Sequence, residues 1–213
     1  MSQNKTNFAV PLAFVGMMFF AIGFALGINS FLIPVLKGAL SLPSGVAYLL
    51  LAATFVPFLI FGYPASATIA KIGYKRTMAL SFLIFAVAFI LFVLSAKLEN
   101  FILFLIASFV SGAANAYLQA SVNPYITILG PIESAAKRMS IMGICNKLAW
   151  PVAPLFFALV VADQTNVQTS DLYLPFYIII GVFLLLGIIS LMAPLPEVKA
   201  AGEDESDTAN CPY

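Results

Sequence analysis

The stretch Gln119-Ala-Ser-Val-Asn-Pro-Tyr-Ile-Thr-Ile-Leu-Gly-Pro131 places two amide side chains and a proline inside an apolar segment long enough to cross a membrane. An amide in hydrocarbon costs free energy unless it is hydrogen-bonded, and a proline within a helix leaves one backbone carbonyl without its donor. Such a segment is tolerated where it faces other helices or a water-filled cavity. The stretch therefore predicts a membrane helix that forms the wall of a cavity.

The composition assigns the chain to the integral membrane proteins. Of its 213 residues, 62% are hydrophobic and 9% are charged, and the mean hydropathy is +1.03. A soluble domain would have roughly a quarter of its residues charged. The net charge is only +1 and no basic patch is present, so we expect the lipid bilayer as a partner and no nucleic acid.

The reactive side chains do not form an enzyme site or a metal site. The chain has no histidine, and its two cysteines, Cys145 in a predicted span and Cys211 in the polar tail, show no metal-binding spacing. No acidic residue lies within a predicted span, and no nucleophile motif is present. We therefore expect two unpaired thiols, no cofactor, no metal and no catalytic residue.

Six apolar segments of roughly 20 residues or more predict an all-α membrane domain with six transmembrane helices. The predicted spans are 8–34, 44–70, 77–95, 101–129, 139–162 and 174–192. The transmembrane domain then covers residues 8–195, after a short N-terminal segment, 1–7. The acidic segment 196–213 has no hydrophobic pattern, which predicts a tail or the start of a linker.

The distribution of positive charge predicts the orientation in a cell inner (cytoplasmic) membrane, because short cytoplasmic loops are rich in lysine and arginine. Lys37 and Lys97 fall on one side of the predicted spans. The other side carries Lys5, Lys71, Lys75, Arg76, Lys137, Arg138 and Lys199. We therefore expect both termini and the acidic tail to be cytoplasmic.

Three amides follow one face of the predicted fourth helix. Asn115, Gln119 and Asn123 are spaced at i, i+4 and i+8, so they project in similar directions. Their alternating donors and acceptors suit a polyhydroxylated ligand such as a sugar. The alternative is that these amides form hydrogen bonds between helices, which is common for Asn and Gln in membranes.

Polar residues also occur in the first and fifth predicted helices. Asn29 and Ser30 precede Pro34, where they either contact a ligand or satisfy a local bend. Asn146, Lys147 and Trp150 lie in the fifth helix, and Lys147 is the only charged residue well inside a predicted span. A charge at that depth should face the interior or a water-filled cavity. The alternatives are that Lys147 extends to the membrane surface and that Trp150 serves packing.

Several motifs together resemble the amino-terminal half of a major facilitator superfamily transporter of the fucose/glucose/galactose permease branch. Asn123-Pro-Tyr-Ile-Thr-Ile-Leu-Gly-Pro131 matches the fourth-helix signature of that branch. Gly62-Tyr-Pro-Ala65 and Lys71-Ile-Gly-Tyr-Lys-Arg76 match its second helix and the following loop, and Asn29 with Pro34 matches its first helix. The resemblance covers about residues 8–200.

The resemblance implies transport of a hexose by alternating access between two six-helix halves. It supports sugar contacts from Asn29, Gln119, Asn123 and Asn146. Together with the residue patterns above, the candidate substrate-binding residues are Asn29, Ser30, Asn115, Gln119, Asn123, Asn146, Lys147 and Trp150.

The sequence departs from the branch at its charged positions. The branch pairs an aspartate on helix one with a glutamate on helix four, and the matching residues here are Ser30 and Gln119, neither of which carries a proton. Ala70 stands where the superfamily's loop signature has an aspartate, and Lys147 stands where the branch often has a small polar residue. Coupling to H+, coupling to Na+ and facilitated diffusion all stay open, and Lys147 is a candidate substitute charge.

The length implies that the chain corresponds to half of a complete transporter. The sequence ends in what would be the central loop of a twelve-helix protein, so transport is expected to need a C-terminal six-helix half or a second copy of the chain. Two alternatives are a membrane module that binds or senses sugar without transporting it, and a non-functional truncated fragment.

Overall fold

A computed structural model describes residues 9–129, 131–161 and 167–192 of the chain. The predicted segments 1–7 and 196–213, with Lys5, Lys199 and Cys211, lie outside the described residues. Two short 3-10 turns, Ile132–Ser134 and Thr169–Leu172, join the later helices. The helices of the described residues are α1 (Ala9–Ala39), α2 (Ser44–Ala47), α3 (Leu49–Lys97), α4 (Phe101–Ile128), α5 (Ala135–Val160) and α6 (Tyr173–Met192).

Helix α3 is too long for a single membrane crossing. Its 49 residues would extend about 74 Å if straight, whereas the hydrocarbon core is about 30 Å thick. The helix breaks at Gly73, whose φ of 81° and ψ of 169° lie in a region that side-chain-bearing residues avoid. The break divides α3 into a first half, 49–72, and a second half, 74–97.

Contacts along α4 show that the chain reverses direction at this break. The first half of α3 meets α4 in the same order along both helices, and the second half meets it in the opposite order. The facing pairs, α3 before α4, are Thr54 with Gly112 and Phe61 with Tyr117, then Tyr74 with Tyr125 and Phe92 with Phe104. The described residues therefore contain six membrane-crossing helical segments, as the hydropathy predicted, although only five separate helices are long enough to cross.

The predicted ends of four spans differ from the observed ends by two to five residues. Helix α1 continues past Pro34 to Ala39, because Pro34 is exposed at its surface and the following residues still bond in helical register. The loop predicted at 71–76 is helical except at Gly73, since that glycine alone supplies the turn. Helix α5 begins at Ala135, four residues earlier than predicted.

The back of the bundle is an aromatic core between α6 and the second half of α3. Phe85 and Phe183 pack with their ring centroids 4.8 Å apart, and Phe92 stacks on Phe176 at 5.5 Å. All four side chains are buried. This cluster also contacts α4 through Phe104, 6.1 Å from Phe92, and α5 through Phe157, 6.0 Å from Phe176.

Glycines bring α1 and α5 into backbone contact. A Cβ atom at Gly23 would overlap the carbonyl oxygen of Asn146, and one at Gly27 would lie 2.7 Å from the carbonyl oxygen of Trp150. Small residues four apart allow this close approach between membrane helices. The contact fixes the candidate residues of α5 directly beside α1.

Candidate substrate-binding face

Helix α1 lies between α4 and α5 and makes polar contacts with both. The Asn29 amide nitrogen donates a 3.4 Å hydrogen bond to the Ser111 hydroxyl of α4. On the other side, the Asn146 amide nitrogen of α5 donates a 3.0 Å bond to the backbone carbonyl of Phe19. These two contacts connect the candidate residues of three helices.

The two contacts also fix the depths of the candidate residues. Helix α5 runs parallel to α1, and α4 ends where α5 begins, so α4 is antiparallel to α1. Gly23, beside the Asn146 backbone, lies six residues, about 9 Å, before Asn29, and Gln119 lies eight residues, about 12 Å, beyond Ser111. Both steps lead toward the membrane surface at which α1 begins. Gln119 and Asn146 therefore lie within about 3 Å of the same depth.

Trp150 lies on the flank of α5 and Lys147 on its far side, relative to the surface that packs on α1. Phe156 borders a wholly apolar groove of about 320 Å³ between α1, α5 and α6, where its ring lies 5.7 Å from that of Phe24. The next residue, Phe157, contacts Phe176 of α6 at 6.0 Å. Relative to Ala149, which is buried beside Gly23, Trp150 is rotated by about 100° and Lys147 by about 160° around the helix. The groove offers a sugar no polar side chain, and none of the candidate residues lines it.

We call the candidate residues that are half-buried or exposed, Ser30, Gln119, Asn123, Lys147 and Trp150, the front face. A step of four residues along α4 rotates the side-chain direction by about 40°, which turns Gln119 and then Asn123 toward this face. Both are half-buried, and their side chains make no hydrogen bond to the described residues. They present free donors and acceptors at the surface.

Asn115 occupies a different environment from the other two amides. It is completely buried, and neither its amide nitrogen nor its amide oxygen has a hydrogen-bond partner among the described residues. Because each step of four residues turns the side chain further around α4, the direction changes from the buried position of Asn115 to the front-face positions of Gln119 and Asn123. The sequence pattern placed all three amides on one face; in the structure Asn115 is fully buried, whereas Gln119 and Asn123 are half-buried.

The two polar residues of α1 bond mainly within the protein. Asn29 is buried and also donates a 3.0 Å bond to the carbonyl of Ala25, while its amide oxygen has no partner in the described part of the chain. Ser30 is half-buried and donates a 3.1 Å bond to the carbonyl of Leu26. These bonds match the local and interhelical alternatives; a substrate contact stays a prediction for both residues.

The outer surface of α5 is divided into two strips. One strip is aliphatic, as expected for a surface that faces lipid, and consists of Ile141, Ile144, Leu148, Leu155 and Leu159. The other carries Ser140, Gly143, Lys147, Pro151 and Pro154. Lys147 is exposed on this second strip, and its Nζ lies 5.0 Å from the centre of the Trp150 ring. The Trp150 indole N–H has no partner among the described groups.

Arg138 has a structural role that the sequence did not reveal. The sequence analysis counted it among the basic residues of the cytoplasmic side, and the structure shows its side chain buried at the end of α4. Its guanidinium donates to the carbonyls of Ile126 and Thr127, at 3.2 and 3.1 Å, to the carbonyl of Pro131 at 2.9 Å and to the Ser134 hydroxyl. A cation is favourable at a helix C-terminus, where carbonyls lack donors. The sequence signal was an arginine shortly after a Gly-Pro helix stop.

Comparison with known proteins supports this architecture. A family model for the Major Facilitator Superfamily matches residues 14–211. The glucose/galactose transporter of Brucella abortus is 31% identical over 209 residues, which are 96% of this chain and 50% of that protein. The L-fucose-proton symporter of Escherichia coli is 22% identical over 223 residues, which are 95% of this chain and 51% of that one.

The fold agrees with a solved transporter structure. A crystal structure of the transporter FucP in its outward conformation superposes with a TM-score of 0.75 at 23% identity, over 90% of this chain and 51% of that one. The prediction of an amino-terminal, six-helix half is confirmed by this match. The relatives are transporters and not enzymes, as the sequence predicted, and this chain spans about half the length of the curated relatives it matches.

Proposed function

The chain belongs to the Major Facilitator Superfamily, and on this basis we propose that it moves a hexose across the cell inner membrane by alternating access. In this proposal it acts as one six-helix half and needs a second half, supplied by another six-helix segment or by a second copy. The names of the relatives, glucose/galactose transporter and L-fucose-proton symporter, support the substrate class. Their doubled length supports the requirement for a second half.

The pair of half-buried amides on the front face is the observation that carries the proposal. Gln119 and Asn123 lie one helical turn apart, and no described residue occupies their donors and acceptors. A carboxamide that stays unpaired in a membrane protein costs free energy, so a polar ligand is expected to complete it. Sugar hydroxyls, which both donate and accept, match this requirement.

In this proposal, any coupling to H+ or Na+ depends on groups other than Ser30 and Gln119. Ser30 and Gln119 occupy the positions at which a carboxylate would exchange a proton, and neither side chain titrates in the physiological range. A fixed cation, Lys147, is instead present on the front face. We therefore expect sugar exchange by this half to persist without a proton gradient.

Uptake into proteoliposomes tests the transport proposal. The protein would be purified from its native membrane with whatever half accompanies it, and supplied with labelled glucose, galactose or fucose under H+, Na+ or no gradient. Uptake of at least one hexose is expected, with Ser95→Ala as an unaffected control, because Ser95 is buried at the back and bonds within its own helix. Absence of uptake of all three sugars under every gradient would contradict the proposal.

A second candidate function is sugar binding without transport. The replacement of both carboxylate positions by Ser30 and Gln119 favours it, because a sensor needs no coupling groups. Equilibrium binding of a labelled hexose together with no counterflow exchange would identify a sensor. Exchange in counterflow would exclude this second candidate.

A further inference from the structure

Lys147 places a positive charge near the middle of the membrane. It lies ten residues beyond Lys137, which is exposed in the first turn of α5, and thirteen residues before Val160, at the end of the helix. These separations correspond to about 15 Å and about 20 Å along the helix axis, in a hydrocarbon core about 30 Å thick. A lysine side chain is much shorter than either distance, so the Lys147 ammonium does not reach a membrane surface.

The side of α5 that carries Lys147 is not covered by any described residue. Ala149, which packs beside Gly23 of α1, points about 160° away from Lys147. The residues that point within about 40° of the Lys147 direction are all exposed, and they are Ser140, Gly143, Pro151 and Pro154. We call these four residues and Lys147 the lysine strip. It faces away from the helices of this chain.

The lysine strip differs in composition from the surface of α5 that faces lipid. The aliphatic strip is centred about 100° around the helix from Lys147, and the lysine strip has no aliphatic side chain of that kind. A Cβ placed on Gly143 would have no described atom within 4 Å. Because small residues let membrane helices approach closely, the strip is suited to contact with a further helix.

A helix that packs on the lysine strip must also stabilise the ammonium. Ionisable residues within membrane helices pair with one another, bind backbone carbonyls or face water. Among the described residues, Lys147 makes no ion pair, and its Nζ lies 5.0 Å from the centre of the Trp150 ring. A cation–π contact supplies only part of the stabilisation, whereas a carboxylate supplies an opposite charge and accepts a strong hydrogen bond.

Neither this chain nor a second copy of it carries a carboxylate at that depth. Its nine acidic residues lie outside the predicted spans, and they are Glu99, Glu133, Asp163, Asp171, Glu197, Glu203, Asp204, Glu205 and Asp207. Of these, Glu99, Glu133 and Asp171 are described, and each lies in a connection between two helices. A second copy would therefore add another Lys147 and no membrane-embedded anion.

We propose that the lysine strip binds a transmembrane helix of a second half that differs in sequence from this chain, and that this helix presents an aspartate or glutamate carboxylate to Lys147. The inference rests on the proposed function, which requires a second half, and it specifies the chemistry of that half. A membrane-embedded acid identifies the partner helix, whether it belongs to a separate chain or to the same polypeptide. A second copy of this chain does not meet the requirement.

Charge reversal in the protein from its native host tests the inference, with the gel-filtration yield of the assembled protein in detergent as the measurement. Lys147→Glu should lower this yield by at least about tenfold, because removal of one partner leaves the other charge buried and unpaired. In that background, lysine in place of a single membrane-embedded acid of the second half should restore the yield to within about threefold of the wild type. Lys147→Arg should keep the wild-type yield, and Lys137→Glu is the matched control at the membrane surface. Two copies of the chain with different affinity tags, produced together, should not purify together.

The outcomes separate the inference from the proposed function, because assembly and hexose counterflow are measured independently. A wild-type yield of Lys147→Glu, or a loss that no single lysine in the second half restores, would overturn the inference. Co-purification of the two tagged copies would also overturn it, since the second half would then be a second copy. Hexose exchange in any of these cases would leave the transport proposal intact. A restored yield without hexose exchange would support the charge pair and contradict transport.

Discussion

Substitution of Arg138 by methionine should destabilise the bundle, although Arg138 is not one of the front-face residues. The guanidinium connects the end of α4 to the start of α5 through three carbonyls and one hydroxyl. Methionine keeps much of the side-chain volume and removes all five donors. The carbonyls of Ile126 and Thr127 then lose their partner at the negative end of the α4 dipole.

The size of the effect follows from which acceptors remain buried. A hydrogen bond to a charged group contributes roughly 1.5–3 kcal/mol, but water can replace the guanidinium at the exposed residues Thr127 and Pro131. The carbonyl of Ile126, a fully buried residue, is the acceptor for which replacement is hardest. With a helix-terminus contribution of about 0.3–1 kcal/mol, we expect Arg138→Met to lower the free energy of unfolding by about 2–4 kcal/mol. Arg138→Lys, which keeps the charge but loses the planar fork, should lose about half of that.

Unfolding by denaturant in detergent micelles measures this effect. Trp150, the only tryptophan, lies at the contact between α1 and α5 and reports the unfolding by its fluorescence. The control is Lys137→Met, which removes a neighbouring exposed charge and should change stability by less than about 0.5 kcal/mol. If Arg138→Met were as stable as this control, the guanidinium would not be stabilising α4, and the argument from its contacts would be refuted.

Three further substitutions probe the helix contacts and the front face. Gly23→Ala should destabilise the bundle by about 1–3 kcal/mol, because the added Cβ would overlap the carbonyl oxygen of Asn146. The same denaturation measures this effect, and the control is Gly62→Ala, since Gly62 has open space around it. Equal stabilities of the two variants would contradict the close contact between α1 and α5. Asn115→Leu should raise the free energy of unfolding by about 1 kcal/mol, since a buried amide without partners is replaced by an apolar side chain; a loss of stability would mean that the amide is satisfied. Gln119→Ala should weaken sugar binding by roughly 5- to 150-fold in an equilibrium binding assay, and an unchanged affinity would remove Gln119 from the site.

The sequence predicted the fold well because the bilayer imposes strict requirements on length and polarity. A segment that crosses hydrocarbon must be about 20 residues long and apolar, and the six predicted segments follow from that condition alone. The reversal at Gly73 needs only one glycine in a positive-φ conformation, so the predicted loop was longer than the real one. Hydropathy cannot distinguish a turn of one residue from a turn of six.

The individual roles of polar residues were harder to predict, because they depend on rotation around each helix and on neighbours from other helices. Asn115 and Gln119 differ by only about 40° in direction, yet one is buried beside α1 and the other reaches the front face. Arg138 counted as one more positive charge in a loop, since its acceptors come from the end of the preceding helix. Sequence spacing gives the face of a helix but not the identity of the element that covers it.

The most direct test of the front face is alkylation of single cysteines in the presence and absence of sugar. In a background with Cys145 and Cys211 replaced, a cysteine at Asn123 would be treated with a membrane-impermeant thiol reagent in opened vesicles, with a cysteine at Leu148 on the aliphatic strip as the control. Labelling at residue 123 that the transported sugar slows, with no labelling at residue 148, is expected. Equal labelling at both positions, or labelling at residue 123 that no hexose slows, would contradict a substrate-binding face built from α1, α4 and α5.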